Sequence, residues 1–155
     1  MASRASRSCL VVPAPGGDLA ADLILPAGAK GLVIFCHGSG SNRFSPRNRQ
    51  VAEHLQAGGL ASLLADLGNG CSRNGGRTQA ALPPLQQQLL ALIDWTREQP
   101  QLQSLPLGLF GSSTGAALAL MAAAERPQRV AAVVSRGGRP DLVFQRLGEV
   151  RCPVL

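Results

Sequence analysis

Residues 105–125 read LPLGLFGSSTGAALALMAAAE, and the succession of residue types within them decides the architecture. Leu105 to Phe110 is a short apolar run, the pattern of a strand buried on both faces of a sheet. Gly111-Ser112-Ser113-Thr114-Gly115 follows at once, and an Ala- and Leu-rich helix continues to about Glu125. A strand that becomes a helix within five residues needs a sharp turn, and Gly on either side of Ser113 removes the Cβ atoms that would collide with neighbouring backbone. Such a turn holds the Ser113 hydroxyl clear of the sheet, while the amides and dipole of the next helix favour negative charge beside it. In a chain with 18 glycines the G-x-S-x-G string alone carries little weight. Its strand-turn-helix setting is what makes it informative.

On the N-terminal side, Asp18 to Leu25 alternates loosely and reads as a first, edge-type strand. Gly31 to Phe35 is a continuous apolar run, hence a strand buried on both faces, and it opens into a Gly-, Ser- and Asn-rich loop from His37 to Pro46. Val51, Ala52 and Leu55 predict a helix over Arg47 to Ala57, stopped by Gly58 and Gly59. Leu60 to Leu64 is a second buried strand ending at Asp66, before a Gly-, Asn- and Arg-rich loop from Gly68 to Arg77. Pro83 and Pro84 suit the first turn of a helix whose Leu85, Leu89, Leu92 and Ile93 share one face. On the C-terminal side Val130 to Val134 is a strand, and Pro153 to Leu155 begins another. The expectation is an α/β fold: a mostly parallel sheet with helices on both faces. Residues 1–15 are expected to be a basic, flexible segment and residues 16–155 a single domain. Both Gly-rich loops fall at strand C-terminal ends, where such sheets bind ligands.

Composition narrows the function. The net charge is +6 over 155 residues, but the arginines are scattered among loops and helix ends, which argues against a nucleic-acid surface. Cys9, Cys36, Cys71 and Cys152 form no C-x-x-C pair and have no His at ligand spacing, so no metal site is expected and all four are read as thiols. No segment reaches the ~20 apolar residues that span a bilayer, and the basic start lacks the apolar core of a signal peptide. A cytoplasmic protein without membrane contact is expected.

The second motif is His37-Gly38-Ser39-Gly40-Ser41 after the buried strand. With Ser45-Pro46-Arg47-Asn48, the Gly111 to Gly115 turn and Ser135-Arg136-Gly137-Gly138-Arg139-Pro140-Asp141, it makes the chain resemble the α/β-hydrolase superfamily, more narrowly the dienelactone-hydrolase-like bacterial proteins. The resemblance spans roughly residues 16–155. It implies Ser113 as nucleophile, an oxyanion hole from the backbone N–H groups of Ser39 and Thr114, a small acyl substrate such as an ester or lactone, and no cofactor. Dienelactone hydrolases use Cys where this chain has Ser113, so the lactone itself does not carry over.

The superfamily draws its acid and its His from loops after the nucleophile, whereas His37 and His54 both precede Ser113. His37 is expected to shape the loop and His54 to sit on the exposed side of a helix. Asp141 is a candidate acid, and Asp66 reads as a loop-capping carboxylate. The resemblance therefore predicts a fold incomplete at its C-terminus, weak catalysis, and self-association through an open sheet edge. The arginines of the loop 43–49, with Arg73, Arg77, Arg136 and Arg139, are read as solvated loop charges in preference to a grip on an anionic substrate. A non-catalytic binding domain that keeps the fold is the alternative. A dinucleotide-binding domain ranks below both, because Arg43 stands where a third glycine is required.

Overall fold

The computed structural model describes residues 5–38, 40–68 and 82–155. Six strands form one sheet: β1 (Ser6–Val12), β2 (Leu19–Leu25), β3 (Leu32–Cys36), β4 (Ala61–Ala65), β5 (Leu107–Ser112) and β6 (Val130–Arg136), in spatial order β1-β2-β4-β3-β5-β6. β3 pairs in parallel with β4 and β5, and β5 in parallel with β6, whereas β2 is antiparallel to both β1 and β4. Among the described residues three helices, α1 (Pro46–Ala57), α2 (Leu82–Glu98) and α3 (Thr114–Glu125), join this sheet in an α/β architecture, followed by a 3₁₀ segment Pro140–Glu149 kinked at Val143.

Strand side chains alternate between faces, and the core divides accordingly. Ile34, Leu63 and Leu109 join α2 and α3 in one apolar cluster, with Leu89, Ile93, Ala117 and Leu118 fully buried. Phe35 and Leu64 point the other way and pack with Ala52 of α1, with Phe110 against them and the two phenyl rings 5.1 Å apart. Helices thus cover both faces, as the apolar runs require. α1 starts where Ser45 accepts the Asn48 backbone N–H at 3.4 Å and Pro46 occupies the first turn, and it ends at Gly58.

Two expectations are corrected. Ser6–Val12, expected as a flexible segment, is the edge strand β1, with Leu10 and Val12 turned inward along a continuous register from Ser6↔Leu25 to Val12↔Leu19. The segment Asp18 to Leu25, expected at the edge, is therefore an interior strand paired on both sides. At the opposite edge Val154 bridges Val133 in parallel, with Val133 N–H on the Pro153 carbonyl at 3.0 Å. No helix among the described residues is long and apolar enough to cross a membrane.

Candidate active site

β5 runs two residues further than its apolar pattern, through Gly111 and Ser112, and the chain reverses into α3 at Ser113. Ser113 has φ 52° and ψ −126°, and it is the one non-glycine residue with positive φ among those described. Its N–H donates to the Arg136 carbonyl at 3.3 Å, and its carbonyl accepts from Ala116 N–H at 3.1 Å. The side chain is exposed and makes no capping bond to the helix it precedes, leaving the hydroxyl available to a ligand.

The flanking glycines are steric necessities. A Cβ on Gly111 would stand 2.5 Å from Ala116 Cα, and one on Gly115 would overlap the Cys36 carbonyl oxygen and lie 2.7 Å from that of His37. Both are backbone contacts that cannot swing aside. Gly38 meets the elbow from the opposite side, since a Cβ there would lie 3.0 Å from Ser112 O and 3.3 Å from Ser113 Cβ. The loops after β3, β5 and β6 so enclose an open cleft of about 390 Å³, lined by Gly38, Ser41, Arg47, Ser113, Arg136 and Gly137 among others. No carboxylate lines it, and neither Arg47 nor Arg136 forms an ion pair among the described residues. The cleft is cationic at its rim.

The other residues singled out from the sequence separate into groups. Thr114 is buried as the first residue of α3, beside Ser113. Ser39, Arg73, Arg77 and Cys71 lie outside the described residues. His37 is 2% exposed, and both ring nitrogens are engaged: Nε2 accepts Leu67 N–H at 3.1 Å, and Nδ1 faces the Gly38 carbonyl at 3.2 Å. It ties the end of β3 to the end of β4, consistent with a loop-shaping role. His54 is exposed on α1, with Nδ1 2.8 Å from the Gln50 carbonyl. Asp141 is exposed, gripped by Arg139 through two bonds of 2.9 and 2.7 Å, and lines a separate groove with Leu82, Met121 and Phe144. The Arg139 hydrogen bonds hold its carboxyl below the usual range. The structure brings Thr114 to Ser113 and leaves Asp141 outside the cleft.

Asp66 caps as expected, its Oδ1 accepting Arg43 N–H at 2.7 Å. The solvated-loop reading fails for Arg43 and Arg49, which bind carboxylates: Arg43 pairs with Asp66, and Arg49 Nη2 donates to Asp22 at 2.8 Å. Asp22, on β2, was not singled out by sequence. Only an acidic residue inside an otherwise apolar strand hinted that a cation must reach it. Among the described residues no group of His, Cys, Asp and Glu could hold a metal ion.

A serine at positive φ between obligatory glycines, set at the C-terminal edge of a parallel sheet and followed by a helix, defines the α/β hydrolases. The chain belongs to the serine aminopeptidase S33 family, whose model matches residues 27–138. It is similar to the dienelactone hydrolase of Anabaena variabilis ATCC 29413, with 42% identity and a TM-score of 0.86 over 98% of this chain and 72% of that one. The Pyrococcus furiosus esterase Pf2001 shares the fold at 18% identity and a TM-score of 0.75, covering 97% of this chain and 68% of its own. A Mycobacterium tuberculosis H37Rv protein, provisionally named a phosphoribosyl transferase, is 46% identical over 137 residues, 88% of this chain. This chain spans 31% of that relative's length.

Proposed function

We propose that Ser113 is the nucleophile of a serine hydrolase acting on an ester, lactone or related acyl compound. The observation that carries this reading is the φ of 52° at Ser113, a strained conformation that only a functional demand on the hydroxyl's position explains. In the reaction Ser113 Oγ passes its proton to solvent water or an external base and bonds to the acyl carbon. The carbonyl oxygen takes up negative charge, whose stabilisation the resemblance assigns to the backbone N–H groups of Thr114 and Ser39, and the bond to the leaving oxygen breaks as that oxygen takes the proton back from the same acceptor. Water then cleaves the acyl-enzyme. Asp141, held by Arg139 beside another groove, has no part in this scheme. The guanidiniums of Arg47 and Arg136, which form no ion pair among the described residues, favour an acyl group with an anionic substituent.

The chain's two histidines are committed elsewhere, His37 to Leu67 and Gly38 and His54 to the exposed side of α1. These 155 residues should therefore turn over weakly, near the ~10³–10⁴-fold over water that an oxyanion hole and binding provide without the base. The same commitment of both rings favours a binding-only domain as the second reading. A fluorophosphonate probe with peptide mapping, run with and without imidazole as an external base, separates the two. Labelling at Ser113 that imidazole accelerates and S113A abolishes is expected. A folded chain that imidazole leaves unlabelled is a binding domain. In a hydrolysis assay with imidazole present, corrected for the rate without protein, R47Q/R136Q should lose about fivefold preference for a carboxylate-bearing aryl ester over its neutral analogue.

A further inference from the structure

The loop that faces Ser113 cannot hold its shape by packing. Between Gly38 and Ser45 it is made of Gly, Ser, Asn, Arg and a single, exposed Phe44. Its anchor is a ring of four charges. Asp66, just past the end of β4, accepts Arg43 N–H on Oδ1 at 2.7 Å and the Arg43 guanidinium on Oδ2. Asp22 accepts Arg49 Nη2 at 2.8 Å, and its Oδ1 lies 3.8 Å from Arg43 Nε. Arg49 Nε returns to the Arg43 carbonyl at 3.1 Å, and the two guanidinium carbons sit 4.1 and 5.2 Å from the Phe44 ring centroid.

Two cations and two anions close into a neutral set, and the carboxylates are largely withdrawn from water at 8% and 12% side-chain exposure. None of the four lines the Ser113 cleft. Their reach to it runs through the loop backbone, whose Gly38 packs against Ser112 and Ser113 and accepts Ser41 N–H at 3.2 Å. Asp66 grips Arg43 by main chain and side chain together, which fixes the loop's position and its rotation.

We propose that Arg43 and Asp66 are positioning residues for the Ser113 site. Their two-point bond sets where the loop stands against the nucleophile, and so governs the rate of acyl transfer and not the affinity for the acyl group. The inference rests on the hydrolase reading of Ser113. Lysine at 43 keeps the charge and the backbone N–H but not the planar fork that serves both Asp66 and Asp22. Asparagine at 66 keeps an acceptor for the backbone N–H and loses the charge.

The test is the inactivation rate constant and the binding constant for a fluorophosphonate, with imidazole present, on the 155-residue protein and its R43Q, R43K, D66N, R43Q/D66N and S113A variants, with a melting curve for each. R43Q and D66N should slow the rate constant about 100-fold, the scale of a small misplacement of reacting groups, and leave the binding constant within about twofold. R43K should recover part of the rate, and the double variant should be no slower than the slower single one. If R43Q does not fold, D66N decides, because asparagine is isosteric with aspartate. Folded variants that label at the wild-type rate, or rate and binding constants that worsen together, overturn the positioning role alone. A wild-type protein that does not label overturns the hydrolase reading and this inference with it.

Discussion

Replacing Ser113 by glycine should stabilise the protein while removing the hydroxyl proposed as the nucleophile. The φ and ψ of 52° and −126° lie in a region that L-residues occupy at a cost of about 1–3 kcal/mol and glycine occupies freely. Glycine also loosens the unfolded chain, which returns about 0.5–1 kcal/mol. Little else changes: the side chain is exposed, caps nothing, and the bonds to Arg136 and Ala116 belong to the backbone. The net gain is about 1 kcal/mol, near the middle of a range of about 0–2.5 kcal/mol. Ser113→Ala is the control, since alanine keeps the Cβ and the strain and should fall within about 0.5 kcal/mol of wild type. Urea unfolding followed by the fluorescence of Trp95, the single tryptophan, measures both variants. With a urea slope of about 1–3 kcal/mol/M, the glycine midpoint should exceed the alanine midpoint by several tenths molar. A glycine variant no more stable than the alanine variant would refute the claim that the elbow stores strain.

Two further outcomes follow from other contacts. Gly115→Ala drives a methyl into the carbonyls of Cys36 and His37, where β3 is pinned between β4 and β5, so the cost should reach or pass the upper end of the ~1–3 kcal/mol of overpacking and lower the calorimetric Tm by about 5–10 °C. Asp94 accepts two bonds from Arg126, at 3.1 and 2.9 Å, and these hold its carboxyl below the usual carboxylate range. A pKa depressed in the folded state adds stability that is present above the unfolded value near 4 and is lost as pH falls through the folded value. The gap between wild type and D94N should therefore be present at about pH 6, narrow as the pH falls below the unfolded value and through the lower folded one, and stay under about 1 kcal/mol because the Asp94 side chain is 46% exposed.

The central strands could be read from sequence because β3, β4 and β5 are covered on both faces, which turns burial into unbroken apolar runs. The elbow could be read because its geometry tolerates only glycine at 111 and 115. β1 escaped for a complementary reason. Leu10 and Val12 point inward, but the outward positions Cys9 and Val11 are apolar too, so the two-residue period is hidden. The 3₁₀ segment against α3 escaped because Val143 leaves helical geometry and splits its apolar residues. The charge ring escaped because Asp22, Arg43 and Asp66 are far apart in sequence. Only the order β2-β4-β3 brings mid-strand Asp22, the end of β4 and the loop after β3 together.

That strand order also sets a timetable for synthesis. Cys36 reaches Gly111, and the loop at Gly38 reaches the elbow, only when β3 pairs with β5. Leu32 pairs with Leu107, so on a ribosome adding about 5–20 residues per second β3 waits on the order of 4–15 s for this neighbour after β3 itself has been made. Throughout that interval a strand of five apolar residues, Leu32–Cys36, has β4 as its only prospective partner and one edge open. The strand at the heart of the finished sheet is thus a point at which the nascent chain is open to wrong pairing.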